Sequence, residues 1–225
     1  MARSDRSAAA FPTFGPSEAL PGRPQRVLVA GVSGSGKTTL AGRIATQLGI
    51  EHTELDGLYH GPRWQPRVEF VEEVTALADR RHWVTEWLYR PARPLLAARA
   101  DLLVWLDLPI ARSLAQVARR TLRRRLRREV LWNGNIEPPL YTLFTDREHV
   151  LRWAWTTRHK YPSLLARVAA ERPDLPIVRL RSHAAADAWL AGPLSAATSE
   201  RPEPDTPDHR PPPATAPREP TPPAG

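Results

Sequence analysis

Residues 26–49, RVLVAGVSGSGKTTLAGRIATQLG, decide the fold of this chain. The β-branched run Arg26–Ala30 predicts a short strand that stops at a glycine. Residues 31–38, GVSGSGKT, then match the pattern G-x-x-x-x-G-K-[ST] at every fixed position. Apolar residues recur every four positions across 37–48 and are followed by Gly49, which predicts a helix over that range. The stretch is therefore a strand, a glycine-rich loop and a helix in succession.

The loop predicts a site for the phosphates of a nucleotide. Its glycines allow the backbone N–H groups to turn towards an anion, and the following helix directs its positive end to the same place. Lys37 is one of only two lysines in the chain, and it adds a mobile positive charge for the terminal phosphates. Thr38 is suited to bind Mg²⁺. We expect ATP and Mg²⁺ at residues Gly31, Ser33, Gly34, Ser35, Gly36, Lys37, Thr38 and Thr39.

The composition limits the class of protein. The chain has 225 residues, of which 41% are hydrophobic, so it can fill a substantial core. It has no cysteine, which excludes a disulfide framework and a thiolate metal site. No apolar stretch is long enough to cross a bilayer, and residues 1–22 lack the pattern of a signal peptide. We expect a cytoplasmic protein without a membrane partner.

The two ends of the chain differ in composition from its middle. Residues 1–25 are rich in proline, serine and alanine, and they predict a flexible leader. Residues 192–225 hold eleven of the chain's 25 prolines and almost no bulky apolar residue, so they predict a disordered tail. Residues 26–191 remain as a single domain.

Strands alternate with helices through that domain. Further strands are predicted over residues 51–56, 83–86, 101–107 and 176–180. Helices are predicted over residues 70–78, 91–99, from Pro109 onward, from about 145 to 170, and over 184–190. Such alternation predicts an α/β fold in which helices cover both faces of a parallel sheet of about five strands.

Three acidic residues are predicted to lie at the ends of strands. Asp56, Glu86 and Asp107 close the second, third and fourth strands. Ligands of open α/β sheets bind outside the carboxyl ends of the strands, so these carboxylates can face the phosphates. Two of them could hold Mg²⁺ through water, and one could accept a proton from an attacking hydroxyl. The alternative for each is an ordinary helix-cap or turn residue.

The helix that follows Pro109 is strongly basic. Eight arginines and no acid lie between Arg112 and Arg128. Helical spacing places Arg120, Arg124 and Arg128 on one stripe, and Arg119, Arg123 and Arg127 on the neighbouring one. Such a helix is suited to clamp phosphates or to bind nucleic acid.

These segments together resemble a known superfamily. The loop, the ELD segment at 54–56, ADLLVWLDLP at 100–109 and the arginine helix are similar to the nucleoside-monophosphate-kinase branch of P-loop proteins. That neighbourhood includes the adenylate, shikimate, gluconate and uridine kinases. Residues 119–138, RRTLRRRLRREVLWNGNIEP, are similar to bacterial adenylate-kinase-like proteins known as topology-modulation proteins or AAA-family ATPases. The resemblance covers about residues 26–190.

The resemblance implies a three-layer P-loop NTPase fold and a role for each candidate residue. Asp56 would contact the phosphate acceptor, and it would act as a base if the acceptor is a hydroxyl. Glu86 would be the Walker-B carboxylate and bind the metal with Thr38, although adenylate kinases have aspartate there. The arginine helix would end in a lid. Arg120 and Arg124 would face the transferring phosphoryl group, and Arg119 would lie beside the adenine.

The sequence therefore predicts an ATP-dependent phosphotransferase that acts on a nucleotide or another small molecule. The runner-up is an ATPase or switch protein that binds nucleic acid through its arginine helix, and a scaffold without turnover is a third interpretation. The segment between the second and third strands, residues 57–81, matches no motif that would identify the acceptor. Within it, Tyr59, His60 and Trp64 are candidates for lining an acceptor pocket, and Asn133 and Asn135 would belong to the lid. The oligomeric state has no signal in the sequence.

Overall fold

The computed structural model describes residues 11–127, 130–135 and 160–199, which form an α/β fold. The strands are β1 (Arg26–Gly31), β2 (His52–Thr53), β3 (Trp83–Glu86), β4 (Leu102–Leu106) and β5 (Ile177–Leu180). The helices are α1 (Lys37–Leu48), α2 (Leu55–Tyr59), α3 (Phe70–Asp79), α4 (Ala92–Arg99), α5 (Ile110–Arg127), α6 (Lys160–Glu171), α7 (His183–Trp189) and α8 (Ser195–Ser199). A π-helical turn, Leu190–Leu194, joins the last two.

All five strands are parallel and lie in the order β2-β3-β1-β4-β5. Strand β1 is central, with Val29 opposite Glu86 of β3 and Gly31 opposite Leu106 of β4. Because the strands are parallel, their carboxyl ends meet at one edge of the sheet. The glycine-rich loop and the ends of β3 and β4 are therefore neighbours there.

The side chains of β1 alternate between two buried layers. Leu28 and Ala30 pack with α3, α4 and α6 on one face, and Val27 and Val29 pack with α1 and α7 on the other. Burying a side chain of this size contributes about 1.5–3 kcal/mol. The sheet is thus covered on both faces, as predicted, and the fold has three layers. None of the helices in the described ranges is long and apolar enough to cross a membrane.

Helix α1 has the predicted bounds. Leu40, Ile44 and Leu48 are buried on one face of it. Gly49 ends it in the left-handed conformation, with φ of 66°, and its N–H donates to the carbonyls of the last turn. A glycine adopts this conformation without the steric cost that other residues bear.

The second predicted strand is shorter than expected, and this corrects the position of Asp56. The strand was predicted over 51–56, but pairing with β3 ends at Thr53. The next residue that could extend the ladder, Leu55, donates its N–H to the Glu86 side chain, 3.4 Å away, and begins helix α2. Asp56 therefore lies in the first turn of α2 rather than at a strand end.

The folded part of the chain extends beyond the predicted limits of 26 and 191. The N–H of Phe14 donates to the Ile177 carbonyl over 2.8 Å, and Arg179 donates to the Phe14 carbonyl over 2.9 Å. At the other end, Leu194 and Ala197 are buried against the sheet layer that contains α1. Residues 1–10, most of the predicted tail and residues 136–159, which include the first part of the predicted helix at 145–170, lie outside the described ranges.

Candidate active site

The loop after β1 has the backbone that an anion-binding loop requires. Gly34 and Gly36 have φ of 75° and 91°, and Gly36 precedes the first residue of α1. At Gly34 a Cβ would lie 2.3 Å from Val117 and 2.4 Å from the carbonyl of Ser113, both in α5. The loop therefore packs directly on the base of the arginine helix, and only glycine fits at that contact.

Lys37 is buried at the floor of the site. Its side chain is 8% exposed, and Nζ donates to the Val32 carbonyl over 2.9 Å. Burial lowers the pKa of Lys37 from 10.5 to about 8, and the nearby carboxylates of Asp56 and Glu86 only partly offset this. The positive charge of Arg120 lowers the pKa further. The positive charge of the ammonium group is thus only partly compensated by neighbouring carboxylates, as expected of a group that binds an anion.

Glu86 lies at the end of β3 and faces Thr38. Burial raises the pKa of its carboxyl, but hydrogen bonds from His52 and Thr38 and the proximity of His52 outweigh this, so the pKa is lowered overall. Nε2 of His52 lies 3.4 Å from Oε1 of Glu86. A carboxylate and a hydroxyl side by side are oxygen ligands of the kind that Mg²⁺ prefers, so the two residues fit the predicted metal site. The described residues contain no cluster of three metal-binding side chains.

Asp56 forms a hydrogen-bonded group with Tyr89 and with His60, which is one of the predicted candidates for the acceptor pocket. The hydroxyl of Tyr89 donates to Oδ1 of Asp56 over 2.6 Å, and Nε2 of His60 lies 3.1 Å from the same hydroxyl. Burial lowers the pKa of His60 and raises that of Tyr89, so both are neutral near pH 7. The carboxylate of Asp56 also acts electrostatically on Lys37.

The two arginine stripes of α5 differ in burial. Arg120 and Arg124 are partly buried, whereas Arg119, Arg123 and Arg127 are exposed. Arg120 acts electrostatically on Lys37, and the Arg124 guanidinium lies 5.8 Å from the centre of the Trp132 ring. The partly buried stripe is the one predicted to face the nucleotide. Arg128 lies outside the described ranges.

The segment at Trp132–Gly134 closes over α2. The Trp132 indole donates to Glu54 over 3.0 Å. The side-chain amide of Asn133 donates to the His60 carbonyl over 2.5 Å, and that of Asn135 donates to the Gly61 carbonyl over 2.9 Å. We call residues 132–135 and their hydrogen bonds to 54–64 the clasp. It joins the predicted lid to the predicted acceptor segment.

The predicted site residues do not all converge. Lys37, Thr38, Asp56, Glu86 and Arg120 lie together, with Arg124 next to the clasp. The remaining candidates form two groups. Five of them lie in the loop beside Lys37: Gly31, Ser33, Gly34, Ser35 and Gly36. The other two, Thr39 and Arg119, are exposed. Thr39 lines an open groove of about 660 Å³ between α1 and α7.

Of the three acids that were predicted at strand ends, Asp107 does not lie with the other site residues. It pairs with Arg179 of β5, whose Nε lies 2.8 Å from Oδ2, and that guanidinium also covers the Trp105 ring at 4.7 Å. This ion pair with Arg179 is neither the metal-binding role nor the helix-cap role that was considered for Asp107.

Sequence reasoning missed Tyr89, His52 and Arg93. Arg93 acts electrostatically on Lys37, and its guanidinium lies 5.4 Å from the Trp87 ring and 5.9 Å from the Tyr161 ring. His52 lies in β2, Arg93 lies in α4 and Tyr89 lies in the loop between β3 and α4, and none of the three belongs to a motif. The one signal that could have indicated them is that they lie in or near β2 and β3, whose carboxyl ends border the loop.

Comparison with known proteins gives structural similarities only. No protein-family model and no curated protein matches the chain. A sugar kinase from Janibacter sp. HTCC2649 is 24% identical with a TM-score of 0.41, covering 79% of this chain and 98% of its own. A gluconokinase from Sinorhizobium meliloti 1021 is 21% identical with a TM-score of 0.46, covering 80% and 95%. A shikimate kinase from Acinetobacter baumannii is 21% identical with a TM-score of 0.40, covering 74% and 89%. With TM-scores below 0.5, these similarities carry no argument about function.

Proposed function

We propose that the chain is an ATP-dependent phosphotransferase of the P-loop kinase superfamily that acts on a small molecule in the cytoplasm. One observation carries the proposal. An unusually buried lysine, a hydroxyl–carboxylate pair suited to Mg²⁺, a second carboxylate and a partly buried arginine surround one glycine-rich loop. The resemblance of residues 119–138 to the adenylate-kinase-like subgroup belongs to the same proposal.

The residues divide the work of phosphoryl transfer between them. The loop N–H groups and Lys37 hold the triphosphate, whose negative charge adds to the partial compensation that Asp56 and Glu86 give the buried ammonium. Thr38 and Glu86 would hold Mg²⁺, which would neutralise charge on the phosphates. Arg120 stabilises the charge that develops on the transferring group. Asp56 orients the acceptor from the opposite side.

The test is ADP release from Mg·ATP by the full chain with a panel of acceptors. The panel holds nucleoside monophosphates, nucleosides, shikimate, gluconate and duplex DNA. We expect one small molecule to raise the rate strongly, and Lys37→Ala to lower that rate by about 10²-fold or more. Asp187→Asn serves as a control, because Asp187 is exposed, pairs with Arg43 and is not one of the residues assigned to the site. A rate that no small molecule raises would contradict the proposal.

The nucleic-acid interpretation retains one supporting observation. Arg119, Arg123 and Arg127 form an exposed basic stripe on α5. An ATPase stimulated by duplex DNA should lose that stimulation as salt rises and when the three arginines are replaced by glutamine. Stimulation by DNA alone would therefore favour this second function over the first.

A further inference from the structure

The hydrogen bonds around Tyr89 have a single consistent direction. An ionised carboxylate only accepts, so the one proton of the Tyr89 hydroxyl must point to Oδ1 of Asp56, 2.6 Å away. Nε2 of His60, 3.1 Å from that hydroxyl, must then be the donor to its oxygen. The order of donation is therefore His60 to Tyr89 to Asp56. A hydrogen bond from a neutral hydroxyl to a carboxylate belongs to the strong, charge-assisted class.

Tyr89 is held in this position by strain and by packing. Its φ is 56°, a left-handed conformation that is strained for a residue other than glycine. Its ring stacks on that of Tyr59 with 3.8 Å between centroids, and the edge of Phe70 packs at 5.3 Å. Because burial raises the pKa of Tyr89, the hydroxyl stays protonated and remains a donor. Strain that surrounding contacts maintain is a recurrent feature of functional sites.

These contacts leave one oxygen of Asp56 for a ligand. Oδ1 is occupied by Tyr89, and no described residue donates a hydrogen bond to Oδ2. Asp56 also acts electrostatically on Lys37, so the carboxylate lies near the lysine of the phosphate loop. An oxygen that can only accept attracts a hydroxyl donor and repels the anionic oxygen of a phosphate.

We propose that Tyr89, supported by His60, is a positioning residue that fixes Asp56 so that its Oδ2 receives an acceptor hydroxyl. The inference rests on the proposed kinase function and names the substrate class within it, an alcohol rather than a nucleoside monophosphate. In the reaction, the acceptor oxygen forms a bond to the γ-phosphorus while the bond between that phosphorus and the bridging oxygen of ADP breaks. The acceptor proton passes to Oδ2 of Asp56, and ADP leaves with the bonding electrons.

The first measurement separates positioning from mere structural support. In Tyr89→Phe we expect kcat for the alcohol acceptor to fall about 10- to 100-fold, because one charge-assisted hydrogen bond is lost, while KM for ATP stays unchanged. The control is Thr75→Val, which removes an exposed hydroxyl that donates to the Val71 carbonyl within α3. His60→Gln, which can still donate to Tyr89, should retain more activity than His60→Ala. Equal kcat in Tyr89→Phe and Thr75→Val would overturn the positioning role.

The second measurement compares two pairs of acceptors that differ only in a phosphate, adenosine with AMP and uridine with UMP. Shikimate and gluconate are added as hydroxyl acceptors that carry no phosphate, and all are tested with the full chain and Mg·ATP. We expect ADP release to rise with a compound that carries hydroxyls and no phosphate, and not with AMP or UMP. Stimulation by monophosphates alone would overturn the inference and leave the kinase function standing. If no compound stimulates ADP release, the kinase function fails and the inference fails with it.

Discussion

The unusual pKa of Lys37 makes nucleotide binding sensitive to pH in a range where few side chains titrate. Burial lowers this pKa to about 8 in the ligand-free protein. Phosphate groups next to Nζ favour the charged ammonium and should return the pKa to its usual value of 10.5 or above. Binding at alkaline pH must therefore take up a proton, which lowers the affinity as pH rises.

The size of the effect follows from the two ionisation states. With a pKa of about 8, Lys37 is about nine-tenths protonated at pH 7 and about one-tenth protonated at pH 9. Affinity for the nucleotide should thus fall about tenfold between these pH values, or about 1.4 kcal/mol. Proton uptake on binding should rise from about 0.1 to about 0.9 per nucleotide.

Isothermal titration calorimetry can measure both quantities. A non-hydrolysable ATP analogue with Mg²⁺ is titrated into the full chain at pH 7 and pH 9, in pairs of buffers with different ionisation enthalpies. The dependence of the observed heat on the buffer gives the number of protons taken up. Lys37→Arg is the control, because a guanidinium stays charged at both pH values and should show no proton uptake.

Two results would refute this reasoning. One is an affinity for the analogue that is the same at pH 7 and pH 9 in the unmodified protein. The other is an equal loss of affinity in Lys37→Arg, because the titrating group would then lie elsewhere.

Three further predictions concern stability, each measured by urea unfolding. Gly34→Ala should lower the free energy of unfolding by about 3 kcal/mol or more, because its Cβ meets Val117 at 2.3 Å, whereas Gly22→Ala, with no atom within 4 Å, should change it by about 0.5 kcal/mol or less. Asn135→Ala should cost about 1–3 kcal/mol, since the buried partners of this amide lose their hydrogen bonds; an unchanged value would contradict the contribution of the clasp. Lys37→Met should stabilise the ligand-free protein at pH 7 by up to about 3 kcal/mol, and the gain should shrink as pH rises from 8 to 10.5 because the wild-type lysine becomes neutral.

Local signals in the sequence were sufficient for the central part of the fold. Helix α1 has the predicted bounds because an apolar repeat and a terminal glycine coincide there. Strand β3 was also correct at Trp83–Glu86, where a short apolar run ends at an acid. The second strand was wrong at its end, because a long-range hydrogen bond from Leu55 to the Glu86 side chain decides where its pairing stops.

The site was predictable to the extent that motifs carry it. The glycine loop and Lys37 come from one continuous pattern, and helical spacing separated the partly buried Arg120 from the exposed Arg119. Tyr89 was not predictable, since its hydroxyl reaches Asp56 across 33 positions and depends on a backbone conformation that tyrosine rarely adopts. The clasp pairs residues more than 70 positions apart, and no local pattern encodes such a pairing.

The clasp has a consequence for how this protein can diverge or be redesigned. Asn133 and Asn135 bind the backbone carbonyls of His60 and Gly61, which every amino acid supplies. Closure therefore places little demand on most side chains of that segment. The exceptions are Glu54, which accepts from the Trp132 indole, and Gly57, where a Cβ would lie 3.0 Å from the Trp132 ring. Libraries that randomise the rest of the segment while keeping Glu54, Asp56, Gly57, His60 and both asparagines should change what the segment recognises and still retain its contact with the lid.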